Sequence, residues 1–222
     1  MLDDLFVDGD VFTSSYDSKT IQSEFKSIYE NLGDDPYTRD KIRARAYARY
    51  TFNENSGLRK EHNRTYFQTY ESNNVDGGYK REFIDIPENL INHAFFKELI
   101  NKDIFLLKKI TGANEFTIGI HPIRYIANED SPSYSSPSWL HKDDEELVFL
   151  HFLFKSENAI GGDSVISENG KKINCVKSLE RFMDTIILTR DFLHAVTPIG
   201  SRGGVAYRDI LLVTVESKVQ KQ

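Results

Sequence analysis

Eight residues constrain this chain more than any others: Leu147 to Phe154, LVFLHFLF. A strand that is apolar on both of its alternating faces belongs inside a sheet covered on both sides. The stretch just before it is polar and reads HKDDEE. Within it, His141 and Asp143 form an H-x-D pair. On a strand, residues i and i+2 point to the same face, so this imidazole and carboxylate can meet one cation. A second histidine, His194, closes another apolar segment, DFLHAV, and Arg208 opens a third, RDILLVTV. Two histidines and one carboxylate form the ligand set of non-haem Fe(II) sites, which leave metal positions open for other ligands. An H-x-D pair alone occurs by chance in many chains. Its placement before a buried strand, with a distal histidine and arginine on further strands, makes it a candidate metal site.

The C-terminal half is rich in strand signals. FTIGIHPIRYIA begins at Phe116, and a Pro- and Ser-rich loop leads into the H-x-D segment. Gly161-Gly162 bends the chain into DSVIS, and Asn169-Gly170 joins DSVIS to KKINCV as a hairpin signal. Residues 185–189, 193–197 and 210–215 read as further strands. Short strands at short spacing predict a double-sheet jelly roll, or barrel, as the core, over residues 114–217.

The part before it, residues 1–113, reads as helices and a hairpin packed outside that core. Ile21, Phe25, Ile28, Tyr29 and Leu32 recur at helical spacing, predicting an amphipathic helix over 18–32 with Gly33 as its C-cap. RARAYARY, from Arg43, alternates arginine or tyrosine with alanine and reads as a strand whose alanine face lets another layer approach. Its arginines are either a solvated face or an anion clamp. Residues 53–64 are a polar connection, with His62 exposed. YFQTYESN and YKREFIDI flank Asp76-Gly77-Gly78 as a hairpin. From Pro87 a long helix runs to Gly112, its stripe including Leu90, Leu99, Phe105 and Leu106. The fold class is therefore mainly β (α+β), in one domain over 1–222.

Charge and cysteine content remove several functions. A net charge of −6 over 222 residues argues against nucleic acid or an anionic membrane as the main partner. The lone Cys175 excludes an intrachain disulfide and fits a reducing compartment. MLDDLFVDGD lacks the basic and apolar regions of a secretory signal, and no apolar run reaches the ~18 residues of a transmembrane helix. The expected location is cytoplasmic.

SSPSWLHKDDEELVFLHFLF, NAIGGDSVI, HAVTPIG and YRDILLVT together resemble the Fe(II)/2-oxoglutarate-dependent dioxygenases, and within them the bacterial L-isoleucine 4-hydroxylase group. The likeness spans roughly residues 30 to 217. It implies a double-stranded β-helix core, one Fe(II), and 2-oxoglutarate and O2 as cosubstrates. It also implies a free aliphatic L-amino acid as small-molecule substrate: isoleucine, with leucine hydroxylation or methionine sulfoxidation as alternatives. His141, Asp143 and His194 match the metal ligands of the group, and Arg208 matches its 2-oxoglutarate arginine. Where the broader family tends to have glycine after the H-x-D aspartate, this chain has Asp144.

The chemistry of the residues agrees. The distal carboxylate of 2-oxoglutarate needs a fixed cation, and a guanidinium binds it through a planar fork. Arg208 shares a strand face with Ile210, Leu212 and Thr214, whereas its rival Arg202 sits in the glycine-rich GSRGG loop. For the amino acid, Arg124 or Arg45 is the candidate for the carboxylate, and Asp144 or Glu145 for the ammonium. Tyr134, Ser135 and Trp139 lie in the loop before His141, and Trp139 is either a wall for an aliphatic side chain or core packing. A run of four carboxylates, Asp143 to Glu146, is as a rule a solvated face. His121 and His151 read as core or pocket-wall histidines.

Overall fold

The structure, a computed structural model, describes residues 5–62 and 65–217. The N-terminal part holds β1 (Phe6–Val7), α1 (Asp10–Thr13), α2 (Ser18–Tyr29), β2 (Arg43–Arg45), β3 (Ala48–Asn53), β4 (Gly57–Lys60), β5 (Thr65–Phe67), β6 (Lys80–Glu82), α3 (Glu88–Ile91) and α4 (Ala94–Thr111). The remainder is β7 (Glu115–Ala127), β8 (Leu147–Lys155), β9 (Ala159–Gly161), β10 (Ser164–Ser167), β11 (Cys175–Lys177), β12 (Thr185–Thr189), β13 (Leu193–Val196), β14 (Ile199–Ser201) and β15 (Ala206–Ser217).

One eight-stranded sheet dominates, in the order β1-β12-β8-β15-β7-β3-β4, with β2 also paired to β7. The apolar run of β8 lies inside it, flanked by β12 and β15. Period-two alternation sorts each central strand between two cores. Phe149, Leu153, Leu211, Val213, Ile118 and Ile120 face one side, packed with Phe25, Tyr29, Leu99 and Phe95 from α2 and α4. Val148, Leu150, Phe152, Ile123, Tyr125 and Ile210 face the other side, against Ile166 of β10 and Ile199 of β14. That second layer consists of a three-stranded sheet, β11-β10-β13, and the pair β14-β9. Two facing sheets with helices on the outer face of the larger make a jelly-roll core.

The helix over 18–32 stops earlier than its apolar spacing predicts. Asp17 caps it through the Lys19 N–H, but its C-cap is Glu30, and Gly33 lies beyond it. The long helix after Pro87 is two: α3 closes at Asn92, His93 caps the next, and Gly112 closes α4 at φ 68°. Phe105 is 56% exposed, outside the stripe its spacing assigned it to.

RARAYARY is extended but broken into β2 and β3. The break, at Ala46 and Tyr47, lies opposite His121 and Pro122 of β7. Proline has no N–H for a ladder, and regular pairing resumes on either side of it. The alternation is nonetheless the expected one: Ala44, Ala46 and Ala48 join the helix-side core. β5 and β6 pair as the expected hairpin, but the connection is a long loop, not a tight turn. β10 and β11 also pair, around Gly170 at φ 74°. Among the described residues no helix is long and apolar enough to cross a membrane.

Candidate active site

His141 and His194 face each other across an antiparallel bridge. Each donates its backbone N–H to the other's carbonyl, at 3.0 and 2.9 Å. Directly opposed residues share a face, so the two rings meet, 4.4 Å between centroids. Asp143, two residues after His141, brings its carboxylate between them: Oδ1 lies 3.5 Å from His141 Nε2 and Oδ2 3.2 Å from His194 Nε2. One donor atom from each residue falls within 4.8 Å of the others, and among the described residues this is the one such cluster of metal-ligating side chains. His141 Nδ1 donates to the Trp139 carbonyl at 2.7 Å. That bond fixes the tautomer, leaving the Nε2 lone pair free for a cation. Burial pushes the Asp143 carboxyl up, but the two imidazoles, His194 foremost, reverse this and hold it well below the usual carboxylate range. A carboxylate kept ionised between two imidazoles suits a divalent cation, and two nitrogens with one oxygen suit Fe(II).

The triad opens onto a cleft of about 700 Å³, part of it open to solvent. One wall is apolar: Val148, Leu150, Leu188, Ile210 and Leu212. The other carries polar groups, among them Arg45, Tyr66, Gln68, Ser135 and Ser136. Arg208 lies beyond Tyr125, its cross-strand partner, and is 1% exposed. Its Nη1 and Nη2 are buried and have no hydrogen-bond partner. Burial lowers its pKa, and none of the described carboxylates forms a salt bridge with it. An unpaired buried guanidinium is costly, and a carboxylate ligand is the group that satisfies it. The residues present therefore fit both Fe(II) and 2-oxoglutarate.

Strand parity separates the two arginine candidates. Arg45 of β2 lies opposite Ile123 and faces the cleft. Arg124 does not. It sits between Ile123 and Tyr125 on the opposite face, where Nε and Nη2 grip both oxygens of Asp209 at 2.8 and 2.7 Å. Its expected role at the substrate carboxylate is corrected on that ground. Asp144 is likewise engaged, accepting from the Thr69 N–H at 2.6 Å, Thr69 Oγ1 at 2.8 Å and Ser72 Oγ at 2.5 Å. It latches the β5–β6 loop to the metal segment and does not line the cleft. Glu145 is buried behind Tyr66, 3.2 Å from its hydroxyl, and burial together with Asp143's charge pushes its carboxyl up to about 8. The acidic run is thus no solvated face.

Ser135 lines the cleft. Tyr134 is 47% exposed and outside it, and Trp139 is 61% exposed, lining a neighbouring surface groove with Val75 and Leu193. Neither Tyr134 nor Trp139, both candidates for the substrate site, lines the cleft, and Trp139 is not core packing either; its groove reaches His141 from the outer side. Arg43 lines the cleft with Arg45, on the arginine face read as either solvated or an anion clamp. Tyr66, Gln68, Tyr125 and Ser136 were not anticipated, and no motif marked them. His151 is a core residue, bonded to Thr185 and Asp103.

The family described as 2OG-Fe dioxygenase matches residues 26–214. A 3(1)-hydroxy-L-isoleucine 4-dioxygenase of Pantoea ananatis is 40% identical over 215 residues, 95% of this chain and 87% of that protein. An L-isoleucine-4-hydroxylase of Bacillus thuringiensis is 35% identical over 222 residues, 98% of this chain and 92% of that protein. The crystal structure of IDO from Bacillus thuringiensis superposes with a TM-score of 0.84 at 31% identity, covering 96% of this chain and 89% of that one. By the match of its sequence and the likeness of its fold, the chain belongs to the Fe(II)- and 2-oxoglutarate-dependent dioxygenases.

Proposed function

We propose that this dioxygenase, acting as a single domain in the cytoplasm, hydroxylates a free aliphatic L-amino acid, isoleucine at C4 before leucine or the sulfur of methionine. The observation that carries the reading is the two-sided cleft beside His141, Asp143 and His194: apolar on one wall, cationic and polar on the other. The activities named for the two relatives support it.

In this reading His141, Asp143 and His194 hold Fe(II) through Nε2, a carboxylate oxygen and Nε2. Bound iron and 2-oxoglutarate supply the oxidising chemistry: one O2 is consumed, 2-oxoglutarate becomes succinate and CO2, and one oxygen atom enters a C–H bond of the substrate. The protein's own part is positioning. Arg208 takes the distal carboxylate of 2-oxoglutarate through its two unpartnered amino groups. Val148, Leu150, Leu188 and Leu212 keep water from the floor of the cleft and bury the aliphatic side chain.

Incubation with iron, 2-oxoglutarate, ascorbate and each common L-amino acid tests this. Isoleucine should gain one oxygen atom by mass, with equimolar succinate. N-acetyl-isoleucine should react far more slowly, because the acetyl group removes the ammonium charge and adds bulk in a cleft that also has to admit 2-oxoglutarate; equal rates would point to a peptide or tethered substrate. The Pantoea relative's name favours a second reading, in which the preferred substrate already carries a side-chain hydroxyl. Ser135, Ser136 and Gln68 could bond that hydroxyl. Competition between isoleucine and its side-chain-hydroxylated form separates the two.

A further inference from the structure

The metal triad and Arg208 leave one buried charge in the cleft unexplained, and it belongs to Arg45. Arg45 is 6% exposed, and its Nε has no hydrogen-bond partner. Among the described residues no carboxylate forms a salt bridge with it, whereas its neighbour Arg43 is paired to Asp35 at 2.6 Å. Arg45 is held instead by neutral groups. Its guanidinium lies 4.3 Å from the Phe83 ring centroid and 5.1 Å from that of Tyr66. Its Nη2 meets His121 Nδ1 at 2.7 Å.

That last contact fixes the state of His121. A guanidinium only donates, so Nδ1 must be the acceptor and the ring proton must be on Nε2. Nε2 then donates to Thr214 Oγ1 at 3.4 Å, and Oγ1 points on to the Gly119 carbonyl at 3.5 Å. The ring is locked as well as polarised: it stacks on Tyr47, with centroids 4.5 Å apart, and meets Tyr66 edge-on at 4.9 Å. Gly119 is required beneath it, since a Cβ there would lie 2.5 Å from Thr214 Oγ1 and 3.0 Å from His121 Nε2. A second donor faces the same space. Gln68 Oε1 accepts from Arg81 Nη2 at 2.5 Å and from Asn73 Nδ2 at 3.1 Å, so its NH2 remains for the cleft that Gln68 lines.

The geometry points to Arg45, aimed by the neutral imidazole of His121 and joined by the Gln68 amide, as the anchor for the α-carboxylate of the amino-acid substrate. This rests on the amino-acid hydroxylase reading and deepens it. His121 is a positioning residue: it touches Arg45, not the substrate. The arrangement uses a buried cation with no carboxylate of its own, which is costly while the cleft lacks an anion and is satisfied by one. An arginine already neutralised, as Arg43 and Arg124 are, would gain far less.

The test compares L-isoleucine with 2-methylbutylamine, the same molecule without its carboxylate, in the wild type and in Arg45→Met, His121→Phe and His121→Asn. Michaelis constants and kcat are read for both cosubstrates, and calorimetry on Mn(II)- and 2-oxoglutarate-loaded protein gives amino-acid affinity without turnover. Losing one charge-assisted contact weakens binding by about tenfold to a hundredfold. The wild type should prefer isoleucine to the amine by at least that factor, and Arg45→Met should erase the preference. His121→Phe keeps the stacking ring but removes the acceptor. It should raise the isoleucine KM while leaving kcat and the 2-oxoglutarate KM near wild type. His121→Asn, which can return an acceptor, should recover much of the affinity. Equal handling of isoleucine and the amine by the wild type overturns the anchor and leaves the hydroxylase reading standing. So does a His121→Phe that binds isoleucine normally, or one in which both Michaelis constants rise together. If no L-amino acid stimulates succinate release, both readings fall. Should His121→Phe not fold, the wild-type comparison and Arg45→Met still decide.

Discussion

A single methyl group placed at residue 162 should weaken 2-oxoglutarate binding without replacing any charged residue. Gly162 has φ +77°, and a Cβ built on it would lie 2.6 Å from Arg208 Cδ and 2.9 Å from Nε. Two costs follow from Gly162→Ala. The left-handed backbone disfavours any L side chain by about 1–2 kcal/mol, which lowers stability. The contact forces the Arg208 side chain to retreat by roughly 1 Å in a packed interior that yields little. A fork displaced by that much forfeits at least one charge-assisted hydrogen bond of about 1.5–3 kcal/mol, so 2-oxoglutarate affinity should fall about tenfold to a hundredfold. Gly112→Ala is the control. Gly112 has φ +68°, with nothing within 4 Å of its Cβ position, so it suffers the backbone cost alone. The assay is succinate release against 2-oxoglutarate concentration, beside a melting curve for each variant. Both variants should melt lower, and only Gly162→Ala should need more 2-oxoglutarate. An unchanged 2-oxoglutarate KM in Gly162→Ala would refute the placement of Arg208 against the cosubstrate.

Asp143→Ala should abolish Fe(II) binding and turnover while the far-ultraviolet circular dichroism stays native; full activity at ordinary iron concentration would remove Asp143 from the metal site. Arg208→Lys keeps the charge and loses the fork, so the 2-oxoglutarate KM should rise well above any change in the amino-acid KM. Asp144→Ala removes three hydrogen bonds to Thr69 and Ser72. It should speed proteolytic nicking within residues 69–78 and raise the amino-acid KM through Gln68, with iron affinity little changed. Asp103→Ala strips one of the two partners of His151, both side chains buried and 3.0 Å apart; leaving the ring nitrogen unsatisfied should cost about 1–3 kcal/mol of stability, read by chemical denaturation.

Much of this site could be read from the chain because strand periodicity is short and rigid. The H-x-D pair, the buried β8 run and the alternation Arg208-Ile210-Leu212-Thr214 each need only a period of two to place their side chains. What could not be read was long-range pairing. Nothing near Asp144 announces that its partners are Thr69 and Ser72, some 70 residues upstream. Its acidic neighbours made it look either solvated or free for a ligand. Trp139 misled for a related reason: an aromatic residue beside a metal ligand suggests a pocket wall or core packing, and it is neither, being 61% exposed. Arg124 was a different failure. Its parity was already in IHPIRYIA, but which parity faced the cleft depended on the register with β2 and β15.

That register also explains how two buried guanidiniums without a carboxylate partner come to share one face of the sheet. Tyr125 lies opposite Arg43 on one neighbour and Arg208 on the other, while Ile123 lies opposite Arg45 and Ile210. Three strands in antiparallel register therefore carry arginines of one parity to a single face. The intervening parity sends Ala44 and Ala46 to the helices, and Arg124 and Asp209 to each other. Of the cleft-side arginines, Arg43 has its own carboxylate in Asp35. Arg45 and Arg208 have none among the described residues; Arg45 lines the metal triad's cleft and Arg208 lies across Tyr125 from Arg43. Two carboxylates must approach the cleft from solution in this chemistry besides the one that chelates the metal: the distal end of 2-oxoglutarate and the α-carboxylate of an amino acid. Two unpaired guanidiniums match that number. Introducing an acidic residue beside either one would neutralise the site before its ligand arrived, and the affinity lost should be specific to that ligand alone.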